Sequence, residues 1–203
     1  MNIGESRVSK MARIHRIGII CEDTSDFESL QILIKRISGV QNIKCIRRSK
    51  DGCSHIISKG PKWAHELALQ GCQMLLVVHD LDRNAYTELS DTLEHKFATA
   101  PFRNKFISIP MEEIEAWILA DPQSITDFFR LDRTLVVPKN TSTISSPKEK
   151  IKLQVRRNST RKAIYINTKH NPQLVNLLSL DLAKARSESF KAFYNFIYSY
   201  SYA

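Results

Sequence analysis

The chain has 203 residues, 42% of them hydrophobic, which is enough for one domain of moderate size with a buried core. Its formal net charge of +9 favours an anionic partner, nucleic acid first and an acidic membrane surface second, and charge alone does not separate the two. The four cysteines form no CxxC pair and no zinc-type spacing, which is typical of reduced thiols in a cytoplasmic protein. No apolar run reaches membrane-spanning length, and residues 1–12 lack periodicity, which predicts a mobile tail.

The predicted elements alternate between strands and helices. Short apolar segments rich in β-branched residues predict strands at residues 14–21, 43–48, 74–78 and 106–109. Apolar residues at helical spacing predict helices between them, at residues 24–38, 54–70 and 85–98. This alternation predicts an α/β domain with a mainly parallel four-stranded sheet and helices on both of its faces.

Local signals mark the ends of these helices. Thr24 or Ser25 is expected to cap the first helix, and Gly39 is expected to stop it. Gly60 and Pro61 are expected to divide the second helix into two pieces, because proline removes a backbone donor and crowds the preceding turn.

Acidic side chains follow two of the predicted strands. Asp80 and Asp82 come directly after residues 74–78, and alternation along an extended chain places both carboxylates on one side. Two carboxylates so close together indicate a hard divalent cation such as Mg2+, and the alternative is a solvated loop. Glu22 follows the first strand, so two strands deliver carboxylates to the sheet edge where ligands of parallel sheets bind. His79 is expected to face the other way and to pack.

More acids open the helix predicted from Pro110 over residues 111–121. Glu112 and Glu115, three residues apart, share a helical face, and the alternative is that they only favour the helix dipole. Further elements are expected as an amphipathic segment at 123–130, an exposed Ser/Thr/Pro-rich loop at 138–147, and helices at 172–178 and 182–200. The aromatic residues of the last helix are expected to dock on the sheet.

Residues 148–169 form a basic segment with eight cations and one acid. Such density predicts contacts with phosphates, and the alternative is a solvated surface. The candidate nucleic-acid-binding residues are Lys148, Lys150, Lys152, Arg156, Arg157, Arg161 and Lys162.

Three motifs, CEDTSD at residues 21–26, HDLD at 79–82 and EIEAWILAD at 113–121, resemble in order and strand placement the TOPRIM fold. That fold is shared by type IA and II topoisomerases, bacterial primases and OLD-family nucleases. The likeness is closest to small stand-alone OLD-like TOPRIM proteins, which are often encoded beside an ABC-type ATPase. It implies a TOPRIM-like core at residues 13–121, with residues 122–203 as a basic loop and helical C-terminal extension packed on that core.

The resemblance also implies an activity. It implies a nuclease that hydrolyses phosphodiester bonds of DNA or RNA with two Mg2+ or Mn2+ ions, and that works with an ATPase in phage defence. Glu22 matches the first glutamate of the family, and Lys169 is the candidate for its downstream lysine, so these two are the implied catalytic residues. The implied metal ligands are Glu22, Asp26, Asp80, Asp82, Glu113 and Glu115.

The chain departs from the family pattern at Asp23, where the family usually has a glycine that suits a tight turn. Helical geometry places Glu112 and Glu115 on one face, whereas the TOPRIM pattern selects Glu113 and Glu115. The two assignments are compatible only if Glu113 precedes the regular helix. An alternative function is a non-catalytic or conditional subunit that binds nucleic acid and the ATPase. A HAD-type phosphohydrolase is disfavoured, because its DxD motif normally follows the first strand and here it follows the third.

Overall fold

The computed structural model describes residues 14–49, 54–81, 84–109 and 114–200. Its strands are β1 (Arg16–Ile20), β2 (Lys44–Arg48), β3 (Met74–Val78) and β4 (Asn104–Ser108). They form a four-stranded, all-parallel sheet in the order β2-β1-β3-β4. The α/β class and the parallel sheet predicted from the sequence are therefore confirmed.

Helices separate these strands along the chain and continue after the last of them. They are α1 (Thr24–Ser38), α2 (Ser54–Leu69), α3 (Tyr86–Phe97), α4 (Ile114–Ile118), α5 (Pro122–Phe129), α6 (Pro147–Arg157), α7 (Asn167–Leu177), α8 (Leu180–Arg186) and α9 (Glu188–Ser199). In the described part of the chain, none of them is both long enough and apolar enough to cross a membrane.

The central strand β3 is buried along its whole length, as its unbroken apolar sequence predicts. Its side chains alternate between the two faces of the sheet. Met74, Leu76 and Val78 join one core with α1 and the C-terminal helices. Leu75 and Val77 join a second core with α2 and α3. Helices therefore cover both faces, and the carboxyl ends of the strands are left as the edge at which a site can form.

α2 is one continuous helix, so the prediction that Gly60 and Pro61 divide it is wrong. Its residues Ile56, Gly60 and Leu67 are buried on one face, and packing along that whole face outweighs the hydrogen bond that Pro61 removes. A Cβ atom at Gly60 would lie 2.4 Å from Cζ of the buried Phe97. The glycine is thus needed for close packing against α3, and it does not break the helix.

The predicted helix at residues 182–200 is in fact two helices, α8 and α9, which meet at Ser187. The backbone of Ser187 is extended, with φ −139°, and its hydroxyl accepts a hydrogen bond from the amide of Phe190 at 3.3 Å. This cap starts α9 as a separate helix. The aromatic face of α9 then docks on the sheet as predicted, where the rings of Phe106 and Phe196 stack with centroids 4.7 Å apart.

The segment at residues 138–147 is less exposed than predicted. It contains a 3-10 turn at Thr141–Thr143, and both Thr141 and Ile144 are buried. The Thr141 hydroxyl donates to the carbonyl of Arg186 at 3.1 Å, which ties the segment to the end of α8. A buried polar side chain that has such a partner explains why a serine- and threonine-rich stretch enters the interior here.

The C-terminal region meets the sheet domain mainly where α7 packs along α1. A guanidinium nitrogen of Arg36 donates to the carbonyl of Val175 at 2.6 Å. At the other end of the pair, the hydroxyl of Ser25 donates to the carbonyl of Asn167 at 3.4 Å. The first turn of α7 therefore lies beside the first turn of α1, next to the carboxyl edge of the sheet.

Candidate functional site

The carboxyl ends of β1 and β3 lie side by side in the sheet. Ile20 of β1 is in register with Val77 of β3, so Glu22 and Asp80 follow neighbouring strands at the same edge. The sequence predicted that both residues lie at one edge of the sheet, and the structure adds that their strands are neighbours. The second aspartate of the DxD motif, Asp82, lies outside the described residues.

Asp23 caps helix α1, which corrects the prediction that Thr24 or Ser25 does so. Its carboxylate accepts a hydrogen bond from the amide of Asp26 at 2.9 Å. Its φ of −131° is extended backbone, so this position does not require glycine. Asp23, which departs from the TOPRIM pattern, therefore has a local role: it starts the helix that carries Asp26.

Asp26 is the most strongly perturbed acid at this edge. Burial raises its pKa from 3.8 to about 8, and the negative charges of Asp23, Glu115 and Glu22, in that order, contribute to the rise. A hydrogen bond that the Asp26 carboxyl accepts from the backbone of Asp23 acts the other way. Because Coulomb effects fall off with distance, this places four carboxyl groups from the end of β1, the start of α1 and α4 in one electrostatic neighbourhood. Perturbed carboxyl groups of this kind concentrate at functional sites.

Glu115 is buried, with 4% of its surface exposed, and Tyr165 holds it in place. The Tyr165 hydroxyl lies 3.0 Å from Oε1 of Glu115 and also contacts the side-chain amide of Asn171. The hydroxyl has one proton and both of its partners, Oε1 of Glu115 and Oδ1 of Asn171, are acceptors, so it donates to one of them at a time. Nothing local in the sequence marks this trio, whose members come from three separate segments.

Arg47 is a cation at the same edge that the sequence analysis missed. It lies near the end of β2, the neighbour of β1, and its guanidinium donates to the hydroxyl of Thr24 at the start of α1. The guanidinium carbon is 5.9 Å from the ring centroid of Phe27. Burial and the nearby acids raise the pKa of the Cys21 thiol, and the charge of Arg47 opposes them. The only sign of this cation in the sequence is a pair of basic residues, Arg47 and Arg48, at the end of a predicted strand. The strand order places that strand beside β1 and so brings Arg47 to the edge.

His79 is buried and packed against its own chain. Its Nδ1 lies 2.7 Å from the carbonyl oxygen of Asp80, which assigns the proton to Nδ1, and its backbone amide donates to Ser108 at 3.1 Å. Within the described residues, its Nε2 has no hydrogen-bond partner. This geometry agrees with the expected packed histidine and orients the backbone from which Asp80 projects.

The implied ligand set is brought together only in part. Glu22, Asp26 and Glu115 share one electrostatic neighbourhood, whereas Glu112 and Glu113 lie outside the described residues. Over the ranges that the structure describes, no three His, Cys, Asp or Glu side chains form a group that could hold a metal ion. The candidate ligands Asp82 and Glu113 lie outside those ranges.

Lys169 lies in the first turn of α7, the turn that contacts α1 through Asn167. Its side chain is exposed. Burial, and then the charge of Lys169, lower the pKa of the neighbouring His170. The lysine is thus near the edge by its position in the fold, and its role stays a prediction.

The basic segment forms most of α6 and the chain that comes after it. Pro147, Ile151 and Val155 are buried along one stripe of α6, so its cations occupy the remaining surface. They separate into two flanks. One flank lines a cleft of about 810 Å³ with Lys152, Arg156, Lys162, Ala163, Ile164 and Tyr165. The other lines a cleft of about 530 Å³ that includes Arg133, Lys150 and Arg157.

Fold and edge together define an α/β protein with a group of acids at the carboxyl ends of a parallel sheet. The chain belongs to the family described as a domain of unknown function, DUF4276, whose model matches residues 21–197. Comparisons with curated proteins and with solved structures give no match. The matched span includes each described candidate residue, from Glu22 to Lys169.

Proposed function

We propose that this chain is a TOPRIM-like, metal-dependent nuclease that hydrolyses phosphodiester bonds of DNA or RNA in the cytoplasm. The observation that carries the proposal is that the neighbouring strands β1 and β3 lead to Glu22 and Asp80 at one edge of the sheet, where burial, and then the charges of Asp23, Glu115 and Glu22, raise the pKa of Asp26. Carboxylates that share one neighbourhood repel each other, and a divalent cation bound at the ligand-binding edge of the sheet would relieve that repulsion.

The chemistry of the donors fits Mg2+ or Mn2+, since both prefer oxygen ligands. The carboxylates that would hold two such ions are Glu22, Asp26, Asp80, Asp82, Glu113 and Glu115. Of these, Glu115 is already oriented by the hydroxyl of Tyr165. Without a cation, protonation of Asp26 limits the repulsion between the acids. A bound cation would favour the ionised form, so ion binding is expected to release this proton.

Bound ions would activate water and stabilise the leaving oxygen. Side chains of the protein would accept the proton and neutralise the phosphate. Glu22 is proposed to accept the proton of the attacking water. Arg47 and Lys169 are proposed to neutralise charge on the scissile phosphate, Arg47 from the end of β2 and Lys169 from the start of α7. The cations of α6 would bind the flanking phosphates and set the position of the strand.

The second candidate is a non-catalytic subunit that binds nucleic acid and an ABC-type ATPase encoded nearby, in the setting of phage defence. The basic flanks of α6 favour this alternative equally, because phosphate binding needs no hydrolysis. A cleavage assay distinguishes the two candidate functions, because only the nuclease would cut the nucleic acid.

The test is cleavage of plasmid DNA and of structured RNA by the purified protein with Mg2+ or Mn2+, with EDTA as the blank. We expect cleavage by the wild type, loss of cleavage in Glu22→Gln, and wild-type cleavage in Glu28→Gln, an exposed glutamate of α1. Circular dichroism checks that both variants fold. A folded Glu22→Gln protein with wild-type turnover removes Glu22 from the site, and absence of cleavage with every ion favours the binding subunit.

A further inference from the structure

The cleft on one flank of α6 differs from the rest of the basic surface. Its lining includes the cations Lys152, Arg156 and Lys162, together with Ile164 and Tyr165. We propose that this cleft binds a nucleic-acid strand with unpaired bases and leads it to the acids at the sheet edge. This inference deepens the proposed function, on which its final step rests.

The cleft shares a wall with the acidic site. Tyr165 lines the cleft, and its hydroxyl is 3.0 Å from Oε1 of Glu115. Glu115 in turn is one of the acids whose charge raises the pKa of Asp26. A strand in the cleft would therefore lie next to the residue that contacts Glu115.

The charges of the cleft are available for phosphates. Arg156 and Lys162 are both exposed, and in the described part of the chain no carboxylate forms an ion pair with either of them. Lys152 does pair with Glu149, at 2.6 Å, and that pair is largely exposed, so it costs little to break. Arg156 lies one helical turn after Lys152, which spaces two cations along the cleft.

The apolar part of the cleft favours unpaired bases. Ile164 is 72% exposed, although it lies between cationic stretches where a purely phosphate-binding surface would carry polar residues. Lys162 has a φ of 54°, a left-handed conformation that costs energy in a lysine, and the chain turns there to present Ala163 and Ile164. A duplex keeps its base faces stacked inside, so only an unpaired base can cover these side chains, and arginine can stack on it as well.

The opposite flank of α6 supplies a matched control. Lys150 and Arg157 lie on the same helix and carry the same charge, but they line the other cleft, which Tyr165 does not reach. The experiment compares Arg156→Gln/Lys162→Gln with Lys150→Gln/Arg157→Gln. Both variants lose two positive charges, so a difference between them reports position and not net charge.

The measurement is fluorescence anisotropy with a labelled single strand of mixed sequence and with its duplex, in EDTA, over a series of salt concentrations. We expect the wild type to bind the single strand more tightly than the duplex. The Arg156→Gln/Lys162→Gln variant should weaken single-strand binding and lower the salt slope by about 0.7 for each phosphate that is no longer neutralised. The control variant should lower both by less, because Lys150 and Arg157 line the other cleft.

A third variant tests the apolar contact. Ile164→Ser keeps every charge, so we expect it to preserve the salt slope and to reduce the single-strand preference by up to about tenfold. Equal effects of the two charge variants, tighter binding of the duplex, or an unchanged preference in Ile164→Ser would overturn the proposal. The binding measurement needs no metal and no turnover. It therefore tests the cleft even if the protein proves not to be a nuclease.

Discussion

The phenolic oxygen of Tyr165 lies 3.0 Å from Oε1 of Glu115, and both side chains are buried. This hydrogen bond joins the chain after α6 to the first turn of α4. It orients a carboxylate whose charge helps to raise the pKa of Asp26, and Tyr165 is also one of the residues that line the basic cleft. One side chain thus links the surface proposed to bind a strand with the acids proposed to cut it.

Tyr165→Phe removes this link without creating a cavity. The variant leaves the buried groups of Glu115 and Asn171 without the hydroxyl between them, so we expect a loss of about 1–3 kcal/mol in the free energy of unfolding. Urea denaturation measures this loss. Tyr86→Phe, at an exposed tyrosine of α3, is the control and should change little. A Tyr165→Phe protein as stable as the wild type would show that the hydroxyl does not hold Glu115.

Asp26 predicts how stability changes with pH. Its pKa is about 8 in the folded protein and about 3.8 in the unfolded chain, so between these values the folded state holds a proton that the unfolded state has lost. Stability therefore falls as pH rises from about 4 to about 8 and levels off above that. Each pKa unit corresponds to about 1.4 kcal/mol, a measurable part of the stability of a domain.

Asp26→Asn is neutral at every pH and imitates the protonated acid. In EDTA we expect it to match the wild type near pH 5 and to be more stable than the wild type near pH 8.5, as measured by the urea midpoint. Asp91→Asn, at an exposed position of α3, should follow the wild-type curve. Parallel curves for Asp26→Asn and the wild type would contradict the raised pKa.

The DxD motif predicts a metal-dependent gain in stability. A ligand that binds only the folded state stabilises it by about 2.7 kcal/mol at a concentration of 100 times Kd, so Mg2+ or Mn2+ should raise the wild-type Tm. The double variant Asp80→Asn/Asp82→Asn should lose this gain together with cleavage, and in EDTA it should be at least as stable as the wild type because repulsion is relieved. Equal metal-induced shifts in the two proteins would remove both aspartates from the site.

The control for the DxD variant is Asp91→Asn/Glu94→Gln, which removes two exposed charges from α3. It should retain the full metal-induced shift of Tm. A smaller shift in this control would indicate that metal ions act through the general charge of the protein.

Two cations compete for the role next to the scissile phosphate. The guanidinium of Arg47 is fixed by Thr24 at the start of α1, whereas the side chain of Lys169 is exposed. We therefore expect Arg47→Gln to lower kcat/KM more than Lys169→Gln, by about tenfold or more, because a fixed donor loses less entropy on binding. Arg48→Gln is the control, since Arg48 points to the other face of β2 and pairs with Glu66 at 3.1 Å.

The opposite ranking of Arg47 and Lys169 would assign the lysine the role that the TOPRIM resemblance implies. An equal loss in Arg47→Gln and Arg48→Gln would show that only the stability of β2 is affected. Thermal denaturation of all three variants separates this case from a loss of phosphate binding.

The sequence by itself determined the sheet and the position of its acids. The unbroken apolar run of β3 predicted a strand covered on both faces, and parallel strands end at one edge of their sheet. The location of Glu22 and Asp80 at one edge could therefore be predicted from residues close in sequence, whereas the pairing of β1 with β3 could not. Helix breaks were harder to predict. Gly60 and Pro61 carry the signal of a break, but the packing of that face against Phe97 outweighs it, and such packing depends on partners distant in sequence.

Only the tertiary structure decided which distant side chains join the edge. Arg47 is at the site because β2 pairs with β1, and Tyr165 reaches Glu115 because α6 and α7 fold back across α4 and α1. Both flanks of α6 carry cations, and they differ in the residues that share their clefts, since Tyr165 lines only one of the two. Local patterns report the periodicity of a segment, whereas the pKa of Asp26 and the course of the cleft arise from charges and contacts between segments that the fold brings together.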